Sequence, residues 1–248
     1  EERTSGAMAQ ICGWMGIKGV LRIESYDISN INGFQSVGSM VVFENGKPKK
    51  SDYRKFRIKT VQGPDDYASM EEVLSRRFQH GLEERKNLEE KDWNTDLGSF
   101  TRFPDLIMMD GGKGQVHIAQ QVLDKLGLAI PVCGMVKDDK HRTRGLFFQE
   151  REIPIETDSE GFHLMTRIQD EVHRYTIDFS RKSHRKSGME LAMTSVEGIG
   201  PARAKALFTA FKTQKAMREA TVEELAAVKG MTSACAQRLY DWLHADEE

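Results

Sequence analysis

Two aspartates stand where aspartate is out of place. Asp27 lies in RIESYDIS (Arg22–Ser29), part of a run whose alternating apolar and β-branched positions predict a strand. Aspartate is disfavoured in strands, and burying its charge is costly. Asp110 follows the apolar Leu106–Met109 and precedes Gly111-Gly112. The apolar run reads as a strand buried on both faces, and the glycines turn the chain after it. If the two strands are neighbours, the carboxylates face each other where open sheets place their sites, at the carboxyl ends of parallel strands. Close carboxylates repel unless a cation sits between them. Their hard oxygens suit Mg²⁺ or Mn²⁺. Such an ion polarises a phosphodiester and activates water for in-line attack. The plainer readings are a cap or turn role for Asp110 and a satisfied edge position for Asp27.

His173 is the third candidate. It adjoins Val172 on an amphipathic helix expected from Gly161 to about Ser183, with Met165, Ile168, Val172, Tyr175 and Phe179 on its core face. Pairs Arg167–Glu171 and Asp170–Arg174 at i,i+4 would flank it. From a helix packed over the sheet edge, an imidazole can ligate a metal or shuttle a proton. Taken alone, such a histidine is more often a surface or satisfied residue. His117, His141, His163 and His184 lack a comparable setting. The string DGGKGQ (Asp110–Gln115) fails the G-x-x-x-x-G-K-[ST] pattern, which argues against an NTPase. Lys113 within it is either a phosphate contact or a solvated lysine.

The second chemistry-bearing pattern is a repeat. Val196-Glu197-Gly198-Ile199-Gly200 recurs as Val228-Lys229-Gly230-Met231-Thr232. Each copy leads into a small-residue helix, Pro201–Phe208 and Ser233–Leu243. Such a turn exposes backbone N–H groups at a helix N-terminus, where a DNA phosphate fits, and glycine lets the phosphate approach closely. This is the helix-hairpin-helix pattern, and its plain alternative is a Gly-rich connector in a helical bundle. Gly198, Gly200, Gly230 and Thr232 are the expected backbone contacts, weaker at Thr232. Arg203 and Lys205 would add phosphate charge, or Lys205 would simply solvate its helix.

The elements that must position these residues are two blocks. Strand signals at Val20–Ser29, Ser36–Glu44 and Asp52–Thr60, with Asn45-Gly46 between the last two, suggest an antiparallel meander. A helix follows from Asp66 to Phe78, capped by Asp65 or Asp66. Residues 79–103 read as a surface insertion, mostly loop or a short exposed helix. Then come the Leu106–Met109 strand, a helix from Gln115 to Leu126, a strand from Ile130 to Val136, a hairpin near Leu146–Ile155 and the long helix. Antiparallel strands followed by βα units imply a mixed sheet with helices on its faces. RKSHRK (Arg181–Lys186) reads as a solvated linker. The division is an unassigned 1–19, a domain at 20–184, a linker at 185–193 and a second domain at 194–248.

Composition bounds the partners. The 248 residues hold 36 Lys plus Arg against 38 Asp plus Glu, a formal net charge of -2. That balance hides opposed local charges. Lys47–Lys59 carries seven basic residues and one acid, Asp52, while residues 65–96 are acidic in excess. Modest local phosphate contacts predict weak, salt-sensitive DNA binding by this chain alone. No apolar stretch is long enough to span a bilayer, so no membrane partner is expected. Cys12, Cys133 and Cys235 are too scattered for a disulfide framework or zinc site and fit a reducing, cytoplasmic setting.

Five strings taken together carry a resemblance: RIESYDIS, SDYRKFRI (Ser51–Ile58), GPDDYASM (Gly63–Met70), PDLIMMDGGKGQ (Pro104–Gln115) and RIQDEVHRY (Arg167–Tyr175). With the tandem hairpins behind them, they resemble the C-terminal half of the UvrC family, the incision subunit of the bacterial excinuclease ABC. The resemblance runs from about residue 20 to 244. It implies an α/β, ribonuclease H-like mixed sheet flanked by helices, followed by a small all-α tandem helix-hairpin-helix domain. It implies that Asp27, Asp110 and His173 form a catalytic triad holding Mg²⁺ or Mn²⁺, with Asp66 a further position linked to activity. It implies the 5′ incision of damaged double-stranded DNA, with UvrB as partner and UvrA upstream. The rival readings are a non-catalytic DNA-binding module and another ribonuclease H-like nuclease, such as a junction resolvase.

Overall fold

The computed structural model describes residues 2–31 and 35–245. Packing divides the chain into two units, Glu1–Asp178 and Phe179–Glu248. In the first, β1 (Arg22–Ile31) pairs antiparallel with β2 (Gln35–Glu44), which sets Asp27 opposite Ser39. Asn45 and Gly46 turn the chain with φ of 50° and 72°, as the Asn-Gly signal requires. Two short strands, β3 (Lys47–Pro48) and β4 (Arg54–Arg57), both pair with β2. After α2 (Asp66–Glu90), β5 (Leu106–Met109) enters parallel to β1, with Tyr26 beside Met109. Helix α3 (Lys113–Lys125) crosses over to β6 (Val132–Lys137), parallel to β5. The antiparallel β7 (Thr143–Phe148) and β8 (Arg151–Pro154) complete the order β3-β2-β1-β5-β6-β7-β8. All four residues of β5 are wholly buried, as expected of a central parallel strand covered on both faces.

Three expectations are corrected. Residues 1–19 are not featureless: Glu2–Met15 form a helix, α1. Ala7, Met8, Ile11 and Met15 bury one face of it in the core at helical spacing, which Gly6 and Gly13 obscured. Residues 79–103 hold neither mostly loop nor a separate short helix, because α2 runs on unbroken to Glu90. Gly81 explains how the following segment folds back on it: a Cβ there would lie 2.5 Å from the Phe100 carbonyl and against the Phe103 ring. The supposed linker 185–193 and the RKSHRK run are helical within α4 (Glu160–Met193). No proline breaks them. Lys186 and Glu190 pair at 3.9 Å, and Met193 is buried in the second unit's core with Met189 packed against it.

Beneath the sheet surface lies a charged cluster. Arg77 on α2 is fully buried and forks onto Glu24 of β1, Nε to Oε1 at 2.9 Å and Nη2 to Oε2 at 3.0 Å. Its other donors go to the carbonyls of Phe100 and Arg102, at 2.7 and 2.8 Å. Glu24 also accepts from the buried Tyr26 hydroxyl at 2.5 Å and from Arg22 at 3.3 Å. The bidentate geometry offsets the desolvation of both charges. It also holds β1 at a residue three before Asp27.

The second unit holds α5 (Pro201–Phe211), α6 (Gln214–Glu219), α7 (Val222–Ala226) and α8 (Ser233–Leu243) around Ile199, Leu207, Met217, Leu225 and Leu239. The Thr221–Glu224 capping box is formed in both directions, at 3.2 Å each.

Arg77→Met should lower stability by about 3–5 kcal/mol, because it strands the Glu24 charge in the core. Urea denaturation checks this; a loss under ~1 kcal/mol would show that the pair does not hold β1.

Candidate active site and hairpin contacts

The parallel pairing of β1 with β5 ends at Tyr26 beside Met109, so Asp27 and Asp110 are the residues that follow the last paired positions. Helix α4 supplies the third side chain, because burial of Leu164, Met165, Ile168 and Val172 fixes the face it turns to the core. His173 Nδ1 lies 3.2 Å from Asp27 Oδ2, and its Nε2 lies 3.0 Å from Asp110 Oδ2. One donor atom from each residue falls within 4.8 Å of the others, the only such group of three among the described residues.

The electrostatics follow from this geometry. Hydrogen bonds to Asp110 and then Asp27 push the His173 pKa up to about 10, against the effect of burial. Burial raises the Asp110 pKa, but the bonds from His173 and Lys137 outweigh it and bring it down to about 2. The imidazolium thus supplies the positive charge that the repelling carboxylates require. Its stabilising contribution is full below the unfolded pKa of about 6.5 and is lost as pH rises through about 10.

Two residues at the site were not singled out from the sequence. Lys137 Nζ sits 2.9 Å from Asp110 Oδ1, and Gln169 Nε2 donates to the same oxygen at 2.7 Å. They occupy Oδ1 and leave Oδ2 toward His173. The signal for Gln169 was weak: it lies one turn before His173 on α4. Lys137 is the last residue of β6, one past the expected strand, where a register shift at Val136/Lys137 re-aims the side chain.

The other candidates divide. Asp65, not Asp66, caps α2, accepting from the Ala68 amide at 2.9 Å. Asp66 is exposed in the first turn and outside the three-residue group. Tyr67 beside it packs its hydroxyl where a Cβ on Gly114 would come to 2.6 Å, so the starts of α2 and α3 lie together. Lys113 is exposed at the start of α3, 3.9 Å from Glu150. The pairs expected around His173 are replaced: Arg174 binds Glu171 at 2.7 Å and Asp178 at 2.8 Å, and Glu171 accepts from Tyr53 at 2.9 Å.

In the second unit the repeat is geometric as well as sequential. Gly198 and Gly230 share the same left-handed backbone, φ 88° and 89°. Gly200 and Thr232 are the N-caps of α5 and α8. Thr232 is no mere defect of the pattern, since its side chain accepts from the Cys235 amide at 3.2 Å. Arg203, expected among the phosphate contacts, instead donates to the Gly230 carbonyl at 2.7 Å and to the Gly198 carbonyl, tying the two turns together. Lys205 is exposed on α5.

Two glycine variants separate fold from contact. Gly198→Ala meets both a positive φ and a Cβ 2.6 Å from Cys235 Sγ, so it should destabilise the second unit by about 1–3 kcal/mol. Gly200→Ala, with open space around its Cβ, should cost no more than about 1 kcal/mol as a poorer N-cap yet weaken DNA binding several-fold. Thermal unfolding and fluorescence anisotropy check the pair. Unchanged DNA affinity in Gly200→Ala would remove the backbone contact from the account.

Known proteins bear on this chain as follows. Residues 14–177 match the family described as UvrC RNAse H endonuclease domain, and residues 190–245 match a SAM-like helix-hairpin-helix tandem. A UvrABC system protein C from Lachnospira eligens is 56% identical over 98% of the chain and 39% of its own length. One from Alkaliphilus oremlandii is 48% identical over 98% of the chain and 40% of its own. The chain thus spans about two-fifths of the length of these curated relatives. Human endonuclease V aligns at 15% identity over 71% of this chain and 90% of its own, with a TM-score of 0.34, too low to carry weight. On the match over residues 14–177, with the second block following in order, the chain belongs to the UvrC RNase H endonuclease domain family.

Proposed function

We propose that the chain is a divalent-metal-dependent DNA endonuclease, making the 5′ incision near a lesion in bacterial nucleotide excision repair. The observation that carries this is the convergence of Asp27, Asp110 and His173 where the parallel pairing of β1 and β5 ends. Two carboxylates and one imidazole form a donor set that fits Mg²⁺ or Mn²⁺, manganese accepting the nitrogen more readily. When bound, the ion supplies Lewis-acid polarisation of the phosphodiester and a more acidic water. Asp27 and Asp110 would hold it with His173. Lys137 and Gln169 fix the Asp110 carboxylate, the supporting role that keeps ligands aimed. Asp66, at the neighbouring start of α2, is proposed to contribute without joining this set.

The tandem hairpins would hold the duplex through backbone amides at Gly198, Gly200, Gly230 and Thr232, with Lys205 and, on the first unit, Lys113 adding charge. Arg203 would act through the turns it joins rather than on phosphate. The relatives' name, UvrABC system protein C, supports UvrB as the partner that delivers damaged DNA, with UvrA acting earlier. No helix among the described residues is long and apolar enough to cross a membrane.

The test is nicking of a damaged or bubble duplex, with Mn²⁺ and UvrB, by wild type and Asp27→Asn. Loss of several kcal/mol of transition-state stabilisation should slow the variant by at least about 100-fold while DNA affinity holds. Equal cutting by both would remove the catalytic assignment. Absent Mn²⁺ binding, with Asp27→Asn more stable than wild type, would favour a non-catalytic DNA-binding module.

A further inference from the structure

The connection from β6 to β7 and the first turns of α4 line an open cleft of about 600 Å³, within the range of ligand sites. His141, Arg142 and Arg144 line it from the hairpin, and Phe162, Thr166 and Gln169 from α4. None belongs to the Asp27, Asp110 and His173 group. Gln169 joins the two places. Its Nε2 donates to Asp110 Oδ1 at 2.7 Å, and its Oε1 accepts from Thr143 Oγ1 at 3.3 Å. An occupant of the cavity therefore lies one side chain away from the reacting centre.

The lining has the chemistry of a nucleotide site. The one carboxylate in the wall, Asp138, is consumed locally: Oδ1 accepts from the Lys140 and Arg142 amides at 2.9 Å each, and Oδ2 from Arg142 Nε at 3.1 Å. Arg144 lays Nε and Nη2 on Glu152 at 2.9 and 3.2 Å. Each pairing uses one edge of a guanidinium that carries five donors. Both side chains stay accessible, at 70% and 52% exposure. Two such cations suit a phosphate, and Phe162 adds apolar surface of the kind on which sugars and bases rest.

We propose that this cavity is the subsite for a nucleotide flanking the cut phosphodiester, its phosphate held by Arg142 and Arg144. The proposal rests on reading the aspartate–histidine centre as a DNA-cutting site. The probe is a labelled bubble duplex carrying a single neutral methylphosphonate at each linkage around the junction in turn. Binding is read by fluorescence anisotropy and cutting in Mn²⁺, for wild type and Arg142→Ala/Arg144→Ala, both substitutions at exposed positions. One flanking methylphosphonate should weaken wild-type binding about 5–10-fold, the worth of a charge-assisted contact. The double variant should bind unmodified DNA that much more weakly and be indifferent to the same methylphosphonate. Losses that multiply independently, or no sensitive linkage, would overturn the subsite. An intact binding pattern without wild-type cutting would instead sustain the subsite and overturn the metal-nuclease reading.

Discussion

Two like charges set together where the pairing of two neighbouring strands ends are the constraint on which the rest of the first unit depends. The parallel register of β1 and β5 leaves Asp27 and Asp110 side by side, and a cation must stand between them. His173 supplies that cation, with Lys137 behind Asp110. The arrangement is a poor choice for stability alone. Apolar residues at these positions would avoid the desolvation of three charged groups.

The constraint reaches outward through named contacts. β1 must not shift, and Glu24 is pinned from α2 by the buried Arg77 fork, which also gathers the 98–103 segment through its carbonyls. Asp110 must present one oxygen, and Lys137 and Gln169 hold the other. Gln169 in turn ties Asp110 to the β6–β7 hairpin through Thr143. The second unit repeats the economy on a smaller scale: one side chain, Arg203, spans both glycine turns.

Much of this was legible in the sequence, and the exceptions share causes. Local signals carried over: the Asn45-Gly46 turn, the apolar β5, the glycine repeat and the capping box each depend on a few neighbouring residues. The parallel pairing of β1 and β5 needed only the placement of one strand. Glycine-containing helices were lost, because Gly6 and Gly13 interrupt the pattern of α1 while facing open space. Charge hid helix in RKSHRK, where the apolar anchors, Met189 and Met193, lie beyond the basic run. Lys137, Gln169 and the Arg77–Glu24 pair were invisible because each acts across a long stretch of sequence. A buried arginine reads locally as one more charge on an acidic helix. The tie that Arg203 makes between the turns was hidden for the same reason, since a basic residue beside a glycine turn does not announce that its partners are carbonyls.

The central claim is that a protonated His173 bridges two carboxylates whose donor set suits a metal. Nitrogen NMR of the His173 ring tests it most directly, in the full chain at pH 8 with Mn²⁺ titrated in. The account predicts an imidazolium protonated on both nitrogens without the ion, titrating near pH 10, and selective broadening of its signals by sub-stoichiometric Mn²⁺ that Asp110→Asn abolishes. A ring that titrates at the ordinary histidine value of about 6.5 and ignores Mn²⁺ would contradict it.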